Sequence, residues 1–192
     1  MGGRIILARH GESEANRMQR FAESDDVPLS PAGRAQAAEL ARQIARDFHP
    51  GLLFSSALLR ARQTGAILGG ILNLKAEVLS GIHERDFGTL KGQPYERMGD
   101  AMLSDPCYDA HRPWAWRPPG GESLHDVRLR SVSSLRKLLS CYPEGEIAIV
   151  SHGAVIQAIY AHVTGKWRES DVPANCGILV LGFTGNRWEP AK

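Results

Sequence analysis

No hydrophobic run in this sequence approaches the roughly 18 residues that a membrane-spanning helix needs. Cysteine is scarce: Cys107, Cys141 and Cys176 are an odd number, widely spaced and without a Cys-x-x-Cys pair, which excludes a disulfide framework. That usage suits a reducing compartment. The N-terminus lacks a charged segment followed by an apolar stretch, and Ile6 stands where a myristoylation signal would carry Ser or Thr. The expected location is therefore the cytoplasm. No dense Lys/Arg cluster is present and the net charge is only +2, so neither nucleic acid nor a membrane surface is an expected partner. No His-x-His, His-x-x-x-His or carboxylate-rich spacing suggests a metal site. There is also no internal repeat, low-complexity tract or linker, so residues 1–192 are expected to form a single domain.

What is present is a strand that ends in chemistry. Ile5, Ile6, Leu7 and Ala8 form a short apolar run, and it opens directly into Arg9-His10-Gly11. A lone histidine at such a point is usually structural. A second run, 146–150, however, also ends in His-Gly, as Ser151-His152-Gly153.

Between these two runs, strand and helix patterns alternate. Ser30-Pro31 opens a helix to about Phe48, with Ser30 suited to the N-cap and Pro31 to the first turn. Leu52 to Phe54 reads as a strand, Ala57 to Leu72 as a helix and Lys75 to Leu79 as a strand. A long helix is expected from Ser123 to Cys141 and another from Ala154 to Val163. The strand from Gly177 to Phe183 is followed by a hairpin partner near Arg187-Trp188, across Gly185-Asn186. Residues 12–29 read as polar and irregular. The alternation implies a three-layer α/β/α sandwich, with a mostly parallel central sheet and helices on both faces. The segment 89–120, rich in Gly and Pro around a short helix from Tyr95 to Leu103, is too long for a simple connection and reads as a small cap insertion.

A parallel sheet can bring four pieces to the carboxyl edge of its strands: Arg9-His10-Gly11 with Asn16, Ser55 to Thr64 with Arg60, His83-Glu84-Arg85-Asp86, and Ser151-His152-Gly153. Two histidines, at least two arginines and a carboxylic acid suit phosphoryl transfer, because guanidinium forks match the equatorial oxygens of a phosphoryl group. Glu12 and Asp86 compete with Glu84 for the role of acid.

In order along the chain, these segments resemble the signatures of the histidine phosphatase superfamily, the phosphoglycerate mutase-like proteins. The matches are Arg9-His10-Gly11-Glu12-Ser13, the Pro-Leu-Ser-x-x-Gly ending from Pro28 to Gly33, Ser56 to Thr64 (with Ala57 where proline is common), Glu84 to Gly88, Gly120 to Ser123, and Ser151 to Gly153. The resemblance covers nearly the whole chain. It implies a covalent mechanism without cofactor or metal. His10 would attack phosphorus, provided its other ring nitrogen is held as N–H by a backbone carbonyl or similar acceptor. Arg9, Arg60 and His152 would clamp the phosphoryl oxygens. Glu84 would protonate the leaving oxygen and later deprotonate water. Asn16 and Gly153 would lie against the phosphoryl group, and Ser123, used near the phosphate in some members, reads best here as a helix cap.

The resemblance leaves the acceptor open between water and a bound sugar acid. Phosphoglycerate mutases carry paired arginines in an insertion before the long helix, whereas 89–120 is shorter and has no Arg-Arg pair. Ala22-Glu23 stands where mutases have Thr-Gly, and Glu23 would repel a multiply anionic substrate. The long tail that covers a mutase site is also absent before Lys192. The expected activity is therefore a phosphomonoesterase acting on a small phosphorylated metabolite, with a cofactor-dependent mutase or a non-catalytic binding relative as alternatives. In the cap, Trp114, Trp116, Tyr95 and Tyr108 could stack on substrate. Arg112 and Arg117 could meet a further anion, with Arg117 gating substrate charge. An exposed apolar strand edge could support a homodimer.

Overall fold

The structure, a computed structural model, describes residues 2–167, 172–185 and 187–191. Its centre is a six-stranded sheet formed by β1 (Gly3–Arg9), β2 (Leu52–Ser55), β3 (Ala76–Val78), β4 (Gly145–Ser151), β5 (Ile178–Thr184) and β6 (Arg187–Pro190). The strand order is β3-β2-β4-β1-β5-β6. The first four strands in that order run parallel, while β5 pairs antiparallel with β1 and then with β6. The sheet is thus parallel across the half that carries the chemistry and closes with a hairpin. Asn186, expected in that hairpin's turn, lies outside the described residues.

Among the described residues, six α-helices accompany the sheet: α1 (Glu14–Arg17), α2 (Pro31–Asp47), α3 (Leu59–Leu72), α4 (Arg97–Ser104), α5 (Leu124–Cys141) and α6 (Gly153–Thr164). Strand side chains alternate between the two faces. Ile5, Leu7, Ile147, Ile149 and Leu181 pack against Val127, Leu135 and Leu139 of α5 and Val155 and Ile159 of α6. Ile6, Ala8, Leu53, Ala148 and Val150 pack against Leu40, Ala41 and Ile44 of α2 and Ala61 and Leu68 of α3. Each fully buried Ile or Leu contributes about 1.5–3 kcal/mol of hydrophobic stabilisation. These two cores form the expected α/β/α layering.

The helix starts follow from their caps. Ser30 accepts from the Gly33 N–H, with Pro31 in the first turn. Ser123 and Asp126 form a reciprocal capping box at the start of α5. The segment read as irregular after His10 in fact contains α1, capped by Ser13 and Asn16 in the same manner. A four-residue helix is too short to display periodicity, so only its capping residues mark it.

Between β3 and α5 the chain builds a small cluster that closes over Phe21 from the loop after α1. Phe21, Leu90 and Trp116 are buried there, with Phe87, Tyr95, Met98 and Tyr108 packed around them. Trp116 Nε1 donates to Asp105 at 2.9 Å. The Trp114 ring stacks on Trp167, with centroids 5.7 Å apart and planes 9° from parallel. Trp116 therefore packs within this segment, and Trp114 packs it against Trp167 beyond α6.

Candidate active site

The sheet register brings the two His-Gly segments together. Arg9 and Ser151 are direct partners in the β1–β4 ladder, so His10 and His152 leave adjacent strands at the same edge. The His10 N–H donates to the Ser151 carbonyl at 3.0 Å, and the Ser56 N–H donates to Val150 at 3.0 Å, which places the β2–α3 turn beside them. The imidazole centroids of His10 and His152 lie 5.1 Å apart in an edge-on arrangement. Gly11 is required here, because a Cβ at that position would collide with the Gly33 carbonyl.

Two contacts determine the protonation of His10. Nδ1 lies 2.7 Å from the Gly11 carbonyl, which only accepts, so Nδ1 carries the proton. Nε2 faces the Arg60 Nε–H at 3.3 Å, which only donates, so Nε2 presents its lone pair. Burial, then the Arg60 cation and Arg9, pull the imidazole well below its ordinary value and outweigh the opposing Gly11 bond. His10 is 2% exposed and uncharged near neutrality.

His152 is fully buried, and its Nε2 lies 2.8 Å from the Ser56 hydroxyl. Ser56 Oγ already accepts from the Leu58 N–H at 3.3 Å, so its own O–H is available to His152 Nε2. Burial, then Arg60 and His10, hold this imidazole well below its ordinary value too. Arg9 is tethered by Nη1 to the Pro173 carbonyl at 2.6 Å. Arg9 Nε, Arg60 Nη1 and His152 Nδ1 are buried without a hydrogen-bond partner among the described residues. Leaving buried polar nitrogens unpaired costs about 1–3 kcal/mol each, and Arg9 and Arg60 line one cavity, so they mark a site shaped for an acceptor.

Glu84 sits opposite, in the loop after β3. Its Oε1 accepts from the Arg85 N–H at 2.9 Å and from the Ala154 N–H at 3.2 Å. Glu12 is tied instead to Ser30, whose Oγ donates to Glu12 Oε1 at 2.5 Å. Asp86 is paired with Lys91 at 2.9 Å. Burial pushes the Asp86 carboxyl up, but the Gly88 N–H and Lys91 outweigh it and hold it below the ordinary carboxylate range.

A cavity of about 760 Å³ is lined by Arg9, His10, Asn16, Ala22, Arg60, Glu84 and Gly153, with Phe21, Phe87, Tyr95 and Met98 on its outer wall. His152 lies behind this lining, edge-on to His10. Asn16 is braced on both sides of its amide: Nδ2 donates to the Tyr95 hydroxyl at 2.7 Å, and Oδ1 accepts from Asn175 at 3.1 Å. Two expected contacts are absent. Glu23 is exposed and outside the lining, and Arg117 is turned to Asp126 at 2.7 Å, pairing with the start of α5 instead of facing the cavity. Arg112 likewise pairs with Asp109. Ser123 is occupied as the cap of α5. The sequence gives no role to Asn175, which donates to the His10 carbonyl at 3.2 Å, or to Arg130, and Glu122 reads there only as part of a helix start; Arg130 and Glu122 brace the Glu84 loop. Nothing in local sequence marks these residues, since their partners lie far along the chain.

Among the described residues, no group of three or more His, Cys, Asp or Glu side chains stands where it could hold a metal ion. No helix of the described residues is long and apolar enough to cross a membrane.

The model of the histidine phosphatase superfamily (branch 1) matches residues 5–192. The chain is 30% identical over 186 residues to the uncharacterized phosphatase PhoE of Bacillus subtilis, covering 96% of this chain and 90% of that one. It is 33% identical over 165 residues to a 2,3-bisphosphoglycerate-dependent phosphoglycerate mutase of Chelativorans, covering 83% and 80%. The solved structure of a mycobacterial glucosyl-3-phosphoglycerate phosphatase complexed with VO3 superposes with a TM-score of 0.85 at 28% identity, covering 98% of this chain and 96% of that one.

Proposed function

As the chain belongs to the histidine phosphatase superfamily, we propose that it is a metal-independent phosphomonoesterase that hydrolyses a small phosphorylated metabolite through a phosphohistidine on His10. The observation that carries this reading is the set of unpaired buried nitrogens on Arg9, Arg60 and His152, gathered with a histidine whose lone pair is on Nε2. The N–H groups of Arg9 and Arg60, both in the cavity lining, would take phosphoryl oxygens while Nε2 approaches phosphorus in line, with His152 supplying a further donor through Nδ1 from behind them.

In the first step the Nε2 lone pair forms the P–N bond and the ester P–O bond breaks. The proton of Glu84 passes to the leaving oxygen. The Gly11 carbonyl, bonded to Nδ1–H, stabilises the positive character that the ring acquires. In the second step water attacks phosphorus, Glu84 takes its proton, the P–N bond breaks, and inorganic phosphate leaves with His10 neutral again. Because Oε1 of Glu84 is held by two backbone N–H groups, Oε2 is the oxygen that carries the transferred proton. Residues 89–120 form the cap that shapes the outer cavity.

The mutase reading is supported by the Chelativorans relative. Against it, the cations lining the cavity beyond Arg9 and Arg60 are already engaged: Lys91 by Asp86, and Arg85 by the carbonyls of Glu122 and Trp116. A substrate carboxylate would find no free guanidinium pair among the described residues.

The test is phosphate release from a small aryl phosphate in excess chelator, with wild type and His10→Ala compared. Turnover should persist in chelator and fall by at least ~10⁴-fold in the variant. Turnover that survives the loss of His10 overturns the mechanism. Interconversion of phosphoglycerates without aryl phosphatase activity would establish the mutase instead.

A further inference from the structure

Arg130 makes an unusual number of contacts for a residue outside the cavity. It lies on α5, two turns beyond Glu122. Its Nε and Nη2 grip the two carboxylate oxygens of Glu122, each at 2.8 Å. The remaining hydrogens go to the backbone of the loop that carries the acid: Nη1 to the Gly81 carbonyl at 3.0 Å and the His83 carbonyl at 2.7 Å, and Nη2 to the Glu84 carbonyl itself at 3.0 Å. The second partner, Glu122, reaches the same loop from its other side. Its Oε2 accepts from the Asp86 N–H at 3.0 Å, and its carbonyl accepts from Arg85 Nε at 2.7 Å.

The start of this loop is anchored by the Ser134 and Ser151 hydroxyls, which donate to the Ser80 and Ile82 carbonyls, and Arg85 ties it to the Trp116 carbonyl; Arg130 is what holds the carbonyls of His83 and Glu84. The loop leaves a three-residue strand and contains no regular structure until the turn at Gly88. A planar guanidinium has five donors fixed in one plane and so serves three carbonyls and a carboxylate at once, whereas an ammonium has only three donors. The pair also has a clear energetic logic. Three carbonyls turned toward one point repel each other, and a partly buried cation balanced by Glu122 cancels that repulsion. Glu122 lines the cavity and takes Arg85, but neither Arg130 nor Glu122 is hydrogen-bonded to Arg9, Arg60 or His10 among the described residues.

We propose that Arg130, locked by Glu122, is the positioning residue for Glu84: it fixes the backbone from which the proton donor reaches the leaving oxygen. The inference rests on the proposed role of Glu84. It predicts a specific defect. Loss of Arg130 should harm proton delivery while leaving phosphate binding by Arg9, Arg60 and His152 intact.

Leaving-group dependence reads this directly, because a good leaving group needs no proton and a poor one does. The experiment compares kcat and KM for 2,4-dinitrophenyl phosphate and phenyl phosphate in wild type, Glu84→Gln, Arg130→Gln and Arg130→Lys. Glu84→Gln should lose about 100-fold or more on phenyl phosphate and far less on the dinitrophenyl ester. Both Arg130 variants should show the same selectivity, with kcat on phenyl phosphate down about tenfold or more, KM little changed, and the dinitrophenyl ester within about twofold of wild type. Arg130→Lys keeps the charge opposite Glu122 and guards against simple misfolding of the Gln variant. Wild-type rates in Arg130→Lys, or an equal loss on both esters in either Arg130 variant, overturn the proposal while the role of Glu84 stands. An unselective Glu84→Gln overturns the proton-donor reading, and this inference with it.

Discussion

The Nε–H of Arg60 points at Nε2 of His10 across 3.3 Å, while Nδ1 of the same ring is tied to the Gly11 carbonyl at 2.7 Å. One ring nitrogen thus faces a pure donor and the other a pure acceptor, and a single tautomer satisfies both. The phosphoryl group should therefore be found on Nε2. Enzyme trapped with a slow substrate, quenched and denatured in alkali where the P–N bond survives, should show the Nε2-phosphorylated isomer by phosphorus NMR. The Nδ1 isomer would mean that the Gly11 contact breaks during turnover.

The two buried histidines make stability depend on pH. Both imidazoles are held well below the ordinary value of 6.5, by burial first and then by Arg60. The unfolded chain therefore binds protons near pH 6.5 that the folded chain refuses. Their contribution is fully present above that pH and is lost as pH falls toward the depressed folded values. Each tenfold difference in proton affinity is worth about 1.4 kcal/mol. Melting temperature should drop between pH 7 and pH 5, and His152→Asn should flatten that drop. A wild-type melting temperature constant across this range would contradict it.

Arg117 should be dispensable for selectivity. Its partner is Asp126, and its side chain is 59% exposed. Exposed ion pairs of this kind are worth about 0–1 kcal/mol. Arg117→Ala should leave the ratio of kcat/KM for anionic and neutral phosphate esters unchanged, with less than about 1 kcal/mol lost in urea unfolding. Trp116→Ala should instead cost about 3–5 kcal/mol, because Trp116 is buried against Phe21 and Leu90. A change in the selectivity ratio on losing Arg117 would restore its expected role as a charge gate.

The sequence by itself determined the layer plan and the cationic pieces of the site. Ile5 to Ala8 and Ile147 to Val150 are continuous apolar runs, as strands buried on both faces must be, and each is followed at once by the residues that chemistry needs. Ser30 and Ser123 announced their helices because a cap is a local hydrogen bond, written within four residues. Only the tertiary structure distinguishes the surroundings of Glu84, Asp86 and Glu12. Lys91 pairs with Asp86, Ser30 with Glu12, and the Ala154 N–H with Glu84. Likewise Arg117 and Arg130 look alike along the chain. One pairs with Asp126, and the other holds the Glu84 loop through carbonyls 46 to 49 positions away. Backbone carbonyls carry no residue identity, so no pattern of side chains could reveal that contact before the chain folded.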